Sequence, residues 1–218
     1  MKVQYLADIS GDIDDVIAIE FLHKLNLLDS VVLDGKSSDR DRINYLYQRG
    51  ISFVDDISSK VLFCGGAFTK VADCLRAGHK FDLLVVNGFF AGLSFNQSEA
   101  LPKFKGLRTC RSYNPGLDIE SADYLVSCGA PFVAVSKDVC HHEDNVTNKW
   151  HSNHSCKPTK KLHDLLMVKE GLRILYDQPT MFNYSPVSIF REGDRWGSTY
   201  NFSSPIKIVS SFNPDFNV

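Results

Sequence analysis

Residues 8–15 read Asp8-Ile-Ser-Gly-Asp-Ile-Asp-Asp15, between two apolar runs. The preceding Val3-Gln-Tyr-Leu-Ala7 has the apolar and aromatic character of a buried strand, and the following Val16-Ile-Ala-Ile-Glu-Phe-Leu22 reads as a helix packed on a sheet. Four carboxylates therefore crowd one strand-to-helix turn, at the carboxyl end of a strand, where open α/β sheets place their ligands. Like charges at that density repel unless a cation or substrate hydroxyls neutralise them. The expectation is a hard-metal or sugar-binding site. The alternative is that Asp12, Asp14 and Asp15 cap the helix and favour its positive end, although a cap needs only one or two of them.

Outward from this turn, strand-like and helix-like segments alternate. Val31-Val-Leu-Asp34, Lys60-Val-Leu-Phe-Cys64, Phe81-Asp-Leu-Leu-Val-Val86 and Pro131-Phe-Val-Ala-Val135 read as strands. Helices are expected over 39–49, 68–77, 119–127 and 161–176. Such alternation argues for an α/β fold with a mainly parallel open sheet and helices on both faces. The C-terminal stretch differs: Val187-Ser-Ile-Phe-Arg191, Gly193-Asp-Arg-Trp-Gly197 and Ser198-Thr-Tyr-Asn-Phe202 suggest a small antiparallel hairpin at one edge. No internal repeat or low-complexity linker interrupts the chain, so a single domain over 1–218 is expected.

Composition narrows the function classes. The chain has 218 residues, 44% hydrophobic and 23% charged, enough for one substantial core. A net charge of −2 and a pI near 6.4 give no strong nucleic-acid signal. No apolar stretch is long enough to span a membrane, so no membrane association is expected. Met1-Lys2 runs directly into the first strand without a signal peptide, so a cytoplasmic location is expected. The six cysteines form no C-x-x-C pair and are read as reduced thiols; the sequons at Asn145, Asn153 and Asn201 are then chance matches.

Four stretches taken together resemble the nucleoside hydrolase family, the metal-dependent N-ribosyl hydrolases. Asp8-Ile-Ser10-Gly-Asp12-Ile-Asp14-Asp15 matches the signature D-x-D-P-G-x-D-D, and Gly66-Ala-Phe-Thr69-Lys-Val-Ala72 the turn G-P-L-T-N-I-A. Ser112-Tyr-Asn114 followed by Asp118-Ile-Glu-Ser-Ala122 is similar to E-F-N followed by D-P-E-A-A, and His163-Asp164-Leu-Leu to the late H-D-P-x-A. Val85-Val-Asn87-Gly88 stands where the family has V-x-M-G-G. The resemblance covers most of residues 1–170; the end of the chain matches only loosely.

The resemblance implies hydrolysis of the N-glycosidic bond of a nucleoside, nucleotide or related ribosyl compound. It implies a divalent cation, Ca²⁺, holding the attacking water and the ribose 2′ and 3′ hydroxyls. Asp15 and Asp164 would supply carboxylate oxygens and Thr69 a backbone carbonyl, while Asp14 and Asn114 would bind the ribose hydroxyls. His163 would help protonate the leaving base or only orient its neighbours. Oligomers are common in the family, so a homo-oligomer is compatible with the resemblance, although no sequence feature fixes the state.

The departures are specific. Ser10 replaces an Asp that in the family is both metal ligand and general base; a serine is a poor base and a weak Ca²⁺ ligand. Asp8, two residues back on the same side of the strand, or Asp12 could take over the lost carboxylate, and Asp8 or Ser10 would position the water. Ser112 replaces a ribose-contacting Glu, and Asn87 a pocket Met. Arg111 and Lys70 stand nearby, and could suit an anionic ribosyl compound or be ordinary surface residues. The stretch before Gly65-Gly66 is much shorter than in the family, so an open site, or one completed by a partner subunit, is expected.

The sequence is open to three other readings. Cys140, His141, His142, His151, His154 and Cys156 are soft ligands dense enough for a structural zinc, at spacings that fit no standard finger. An aspartyl-nucleophile phosphohydrolase would need an Asp at Ser10. A non-enzymatic protein that binds or sequesters a ribosyl metabolite would retain the pocket without its base. No Walker A loop or G-x-G-x-x-G follows any strand.

Overall fold

A computed structural model describes residues 1–10, 12–141 and 162–216. The elements follow in the order β1 (Val3–Ala7), α1 (Asp14–Lys24), β2 (Leu28–Leu33), α2 (Arg40–Gln48), β3 (Phe53–Val54), β4 (Val61–Cys64), α3 (Thr69–Arg76) and β5 (Leu83–Asn87). A 3₁₀ turn (Gly92–Ser94) leads to β6 (Cys110–Arg111), α4 (Tyr113–Leu117), α5 (Ile119–Ser127), β7 (Phe132–Val135), α6 (Lys137–Cys140), α7 (His163–Leu175), β8 (Phe182–Glu192), β9 (Arg195–Tyr200) and β10 (Ile206–Phe212).

The strands form one ten-stranded sheet in the order β3-β2-β1-β4-β5-β7-β10-β8-β9-β6. The run from β3 to β10 is parallel throughout. From β1 the chain first winds outward through β2 and β3, then returns to the other side of β1 with β4, β5 and β7. Right-handed crossovers in opposite directions put their helices on opposite faces. Accordingly α1 packs on α7, and α3 on α5. The reversal between β1 and β4 opens a crevice at their carboxyl ends.

These strands read as continuous apolar runs because both their faces are covered: β1, β4 and β7 are buried at every position. Gly171 lets α7 lie close to the sheet, since a Cβ there would stand 2.7 Å from the Phe63 ring. With α7 lying on β5 and β4, Asp164 in its first turn meets Asn87 at the end of β5.

The C-terminal hairpin is present as β8 and β9, joined by Gly193-Asp194. The edge is larger than the sequence suggests. β10 pairs parallel with β7 and antiparallel with β8, so it lies between the parallel sheet and the hairpin, and β6 closes the outer edge on β9. Trp196 of β9 is fully buried, edge-on to Phe89. Among the described residues no helix is long and apolar enough to cross a membrane. The described cysteines, Cys64, Cys74, Cys110, Cys128 and Cys140, are free thiols; Cys156 lies outside the described residues.

Candidate active site

The crevice at the β1/β4 reversal holds a cavity of about 380 Å³. Asp8, Ser10 and Asp12 reach it from the turn after β1, Asp14 and Asp15 from the first turn of α1, and Gly65 from the end of β4. Asn87 and Gly88 follow β5, Ser112, Tyr113 and Asn114 stand at the start of α4, and Lys137, Cys140 and His141 follow β7. His163 and Asp164 open α7.

Asp14, Asp15 and Asp164 form its floor. One carboxylate oxygen from each lies within 4.8 Å of the other two, a group able to hold a metal ion. Asp15 and Asp164 are only 4% and 2% exposed, so bulk water screens them little from one another. Burial pushes the Asp15 carboxyl well above the usual range, and the facing Asp164 and Asp14 push it further. Asp164 is raised in the same way, by burial and then by Asp14. Asp14 is pushed up to about 6, first by burial and next by Asp12. Ionised together, these groups need a counter-charge, which a hard cation with oxygen ligands would supply.

Neighbouring residues hold this floor in place. The Tyr5 hydroxyl, projecting from β1, donates to Asp15 Oδ1 at 3.1 Å, and the Asp8 backbone N–H donates to the same oxygen at 3.3 Å. Asn87 Nδ2 donates to Asp164 Oδ1 at 2.6 Å. Asn114 Nδ2 donates to the carbonyls of Gly65 and Asn87, at 2.8 and 2.9 Å, and so ties α4 to the ends of β4 and β5. Gly65 is required by space: a Cβ there would collide with the Tyr5 hydroxyl and come within 2.9 Å of Asp15 Oδ1.

Helix capping does not account for the acids. The N-cap of α1 is Ile13, with no side-chain cap, whereas Asp39 and Asp118 do cap α2 and α5 through the backbone N–H groups of Arg42 and Ser121. Asp34, at the end of β2, accepts from the backbone N–H groups of Lys36, Ser37 and Ala67 and braces the turn after β4.

Ser10 and Asp8 stand together on the cavity wall, with the Ser10 hydroxyl donating to Asp8 Oδ1. Burial raises the Asp8 carboxyl, against the lowering effect of that hydrogen bond. His163 lines the cavity with its ring centroid 4.9 Å from that of His141. Three sequence-nominated residues lie outside the lining. Thr69 is exposed, and its hydroxyl donates to Asp118 Oδ2 at 2.6 Å. Arg111 turns outward to Asp194, 2.6 Å away at the tip of the β8–β9 hairpin. Lys70 donates to the Asp55 carbonyl. Of the soft-ligand group, Cys140 is buried with Sγ 3.7 Å from Asn87 Oδ1, and His141 lines the cavity; His142, His151, His154 and Cys156 lie outside the described residues.

Tyr5, Gly65 and Lys137 were not singled out from the sequence. A tyrosine in a buried strand is a signal only once an acid is known to face the same side, and a lone lysine after a strand looks like any solvated one.

No protein-family model matches the chain. No curated protein matches it. Among solved structures, the inosine-uridine preferring nucleoside hydrolase from Bacillus anthracis matches with a TM-score of 0.61 and 12% identity, over 99% of this chain and 96% of that one. At that identity the likeness shows the fold: the chain has a nucleoside-hydrolase-like architecture, as its motifs led one to expect.

Proposed function

We propose that the chain cleaves the N-glycosidic bond of a ribosyl compound, with a divalent cation held by Asp14, Asp15 and Asp164. The observation that carries this reading is the convergence of three buried carboxylates from α1 and α7 within 4.8 Å, at the sheet reversal of a nucleoside-hydrolase-like fold. The three carboxylate oxygens fit a hard divalent ion, and Ca²⁺ is the one we infer from the resemblance to the nucleoside hydrolases. When bound, such an ion supplies charge neutralisation and holds oxygen ligands in place.

The chain's own residues perform the rest. Asn114, fixed by the Gly65 and Asn87 carbonyls, presents its remaining polar atom to a sugar hydroxyl. The acidic floor stabilises the positive charge that develops on the sugar ring as the base departs. Asp8, oriented by the Ser10 hydroxyl, accepts a proton from the attacking water, and His163 faces the leaving base. The test incubates the protein with ribosides and Ca²⁺ and follows release of free base. Turnover lost in Asp15→Ala and in Asp8→Asn supports the reading. Absence of both turnover and cation binding overturns it.

A second reading is favoured by one observation: the Ser10 hydroxyl is a donor to Asp8 and not itself a base. In that reading the site retains a ribosyl compound without cleaving it. Tight riboside binding without release of base would select it.

A further inference from the structure

The cavity is chemically two-ended. Five carboxylates, Asp8, Asp12, Asp14, Asp15 and Asp164, surround the ends of β1 and β4, while Lys137 stands just past β7. In the sheet, β7 is two places beyond β4, so the strand ends that lead to Gly65 and to Lys137 are about 10 Å apart at the usual strand spacing. That is the reach of a furanose extended by one phosphoester.

We propose that the ligand's sugar bears a phosphate monoester, held at the far end by Lys137 and Ser112; this rests on the ribosyl reading above. Lys137 is half-buried on the cavity wall, and its Nζ donates to the Arg111 carbonyl at 2.8 Å, which points the ammonium at the start of α4 and leaves donors to spare. Lys137 makes no ion pair among the described residues. The neighbouring acid, Asp138, is turned inward onto the backbone N–H groups of Ala91 and Gly92 and the Ser136 hydroxyl, and does not face this ammonium. Ser112 is 7% exposed and lines the cavity, and its hydroxyl is not spent on capping α4. An ammonium held on the Arg111 carbonyl, next in sequence to the Ser112 hydroxyl that lines the same cavity, suits a phosphate. The two basic residues that the sequence brings forward, Arg111 and Lys70, are engaged elsewhere, so Lys137 supplies the positive charge.

The experiment measures binding of ribose 5-phosphate, ribose and inorganic phosphate to the full chain by calorimetry with Ca²⁺ present. Ribose 5-phosphate should bind at least about tenfold more tightly than either fragment. Lys137→Gln should lower that affinity roughly tenfold to a hundredfold, and Lys137→Arg should retain most of it, with unchanged melting temperatures showing that both variants fold. Ribose 5-phosphate binding no more tightly than ribose, or Lys137→Gln without effect, overturns the proposal while leaving the ribosyl reading intact. Inorganic phosphate binding as tightly as ribose 5-phosphate means that the pocket takes the free anion, and overturns the sugar-linked form. Failure of both Ca²⁺ and ribose to bind removes the ribosyl reading, and the proposal with it.

Discussion

Two buried acidic regions of this molecule look alike by burial and differ in what surrounds the carboxylates. Asp138, below the cavity, is 4% exposed and pushed up to about 6 by that burial. It accepts hydrogen bonds from the Ala91 N–H (2.6 Å), the Gly92 N–H (3.1 Å) and the Ser136 hydroxyl (2.9 Å), a structural use of a carboxylate that pins the 3₁₀ turn to α6. Asp14, Asp15 and Asp164 are buried to a similar degree, yet they face one another. What marks a site is therefore an excess of like charge over the donors that surround it; burial of an acid alone does not.

The sharpest way to break the comparison is to remove one acid from each region. Asp15→Ala should reduce riboside cleavage by about a thousandfold or more, the scale of losing a central electrostatic group, as measured by base release under saturating Ca²⁺. Without the cation the same variant should melt close to the parent, because relief of like-charge repulsion is offset by the Tyr5 hydroxyl and the Asp8 N–H losing their acceptor. Gly65→Ala should force Tyr5 and Asp15 apart and cost about 3 kcal/mol in urea unfolding, with weaker Ca²⁺ binding measured by titration. Asp138→Ala should cost about 1–3 kcal/mol by leaving two backbone N–H groups unpaired, with Ca²⁺ affinity unchanged.

The smallest effect is in the pH dependence. Asp14 and Asp138 each have a folded pKa of about 6, above the ordinary value of 3.8. The folded state thus binds more protons than the unfolded chain between those values. Stability is greatest below pH 3.8 for these groups and is lost as pH rises through about 6. Chelator-treated protein should show that decline in denaturant titrations from pH 4 to pH 8. Added Ca²⁺ should cancel the Asp14 share, and Asp138→Asn should cancel only the other. A decline indifferent to Ca²⁺ would erase the distinction between the two regions.

The parallel half of the fold was legible because covered strands show as uninterrupted apolar runs, and α5 spans the Ile119–Ser127 stretch expected to be helical. The position of β10 was not legible: Ile206–Phe212 follows the hairpin in sequence, and nothing in its residues says that it is inserted between β7 and β8. At the site, Asp14, Asp15 and Asp164 were readable as motif ends after strands or at helix starts. Arg111 was misleading because its partner, Asp194, is supplied by the distant hairpin, and the outward direction of a side chain on a two-residue strand is set by that pairing. Lys137 became visible only once the sheet order brought β7 beside β5.

One residue, Asn87, touches three elements: its amide nitrogen holds Asp164 of α7, its side-chain oxygen accepts from the Cys140 thiol of α6, and its carbonyl receives Asn114 of α4. The Asp164 acceptor on one side and the Cys140 thiol on the other set which way the amide faces. Folding thus absorbs the entropy of ordering these side chains before any ligand arrives. Ligand capture at this end of the cavity should consequently be fast, limited by encounter and dehydration and not by side-chain rearrangement.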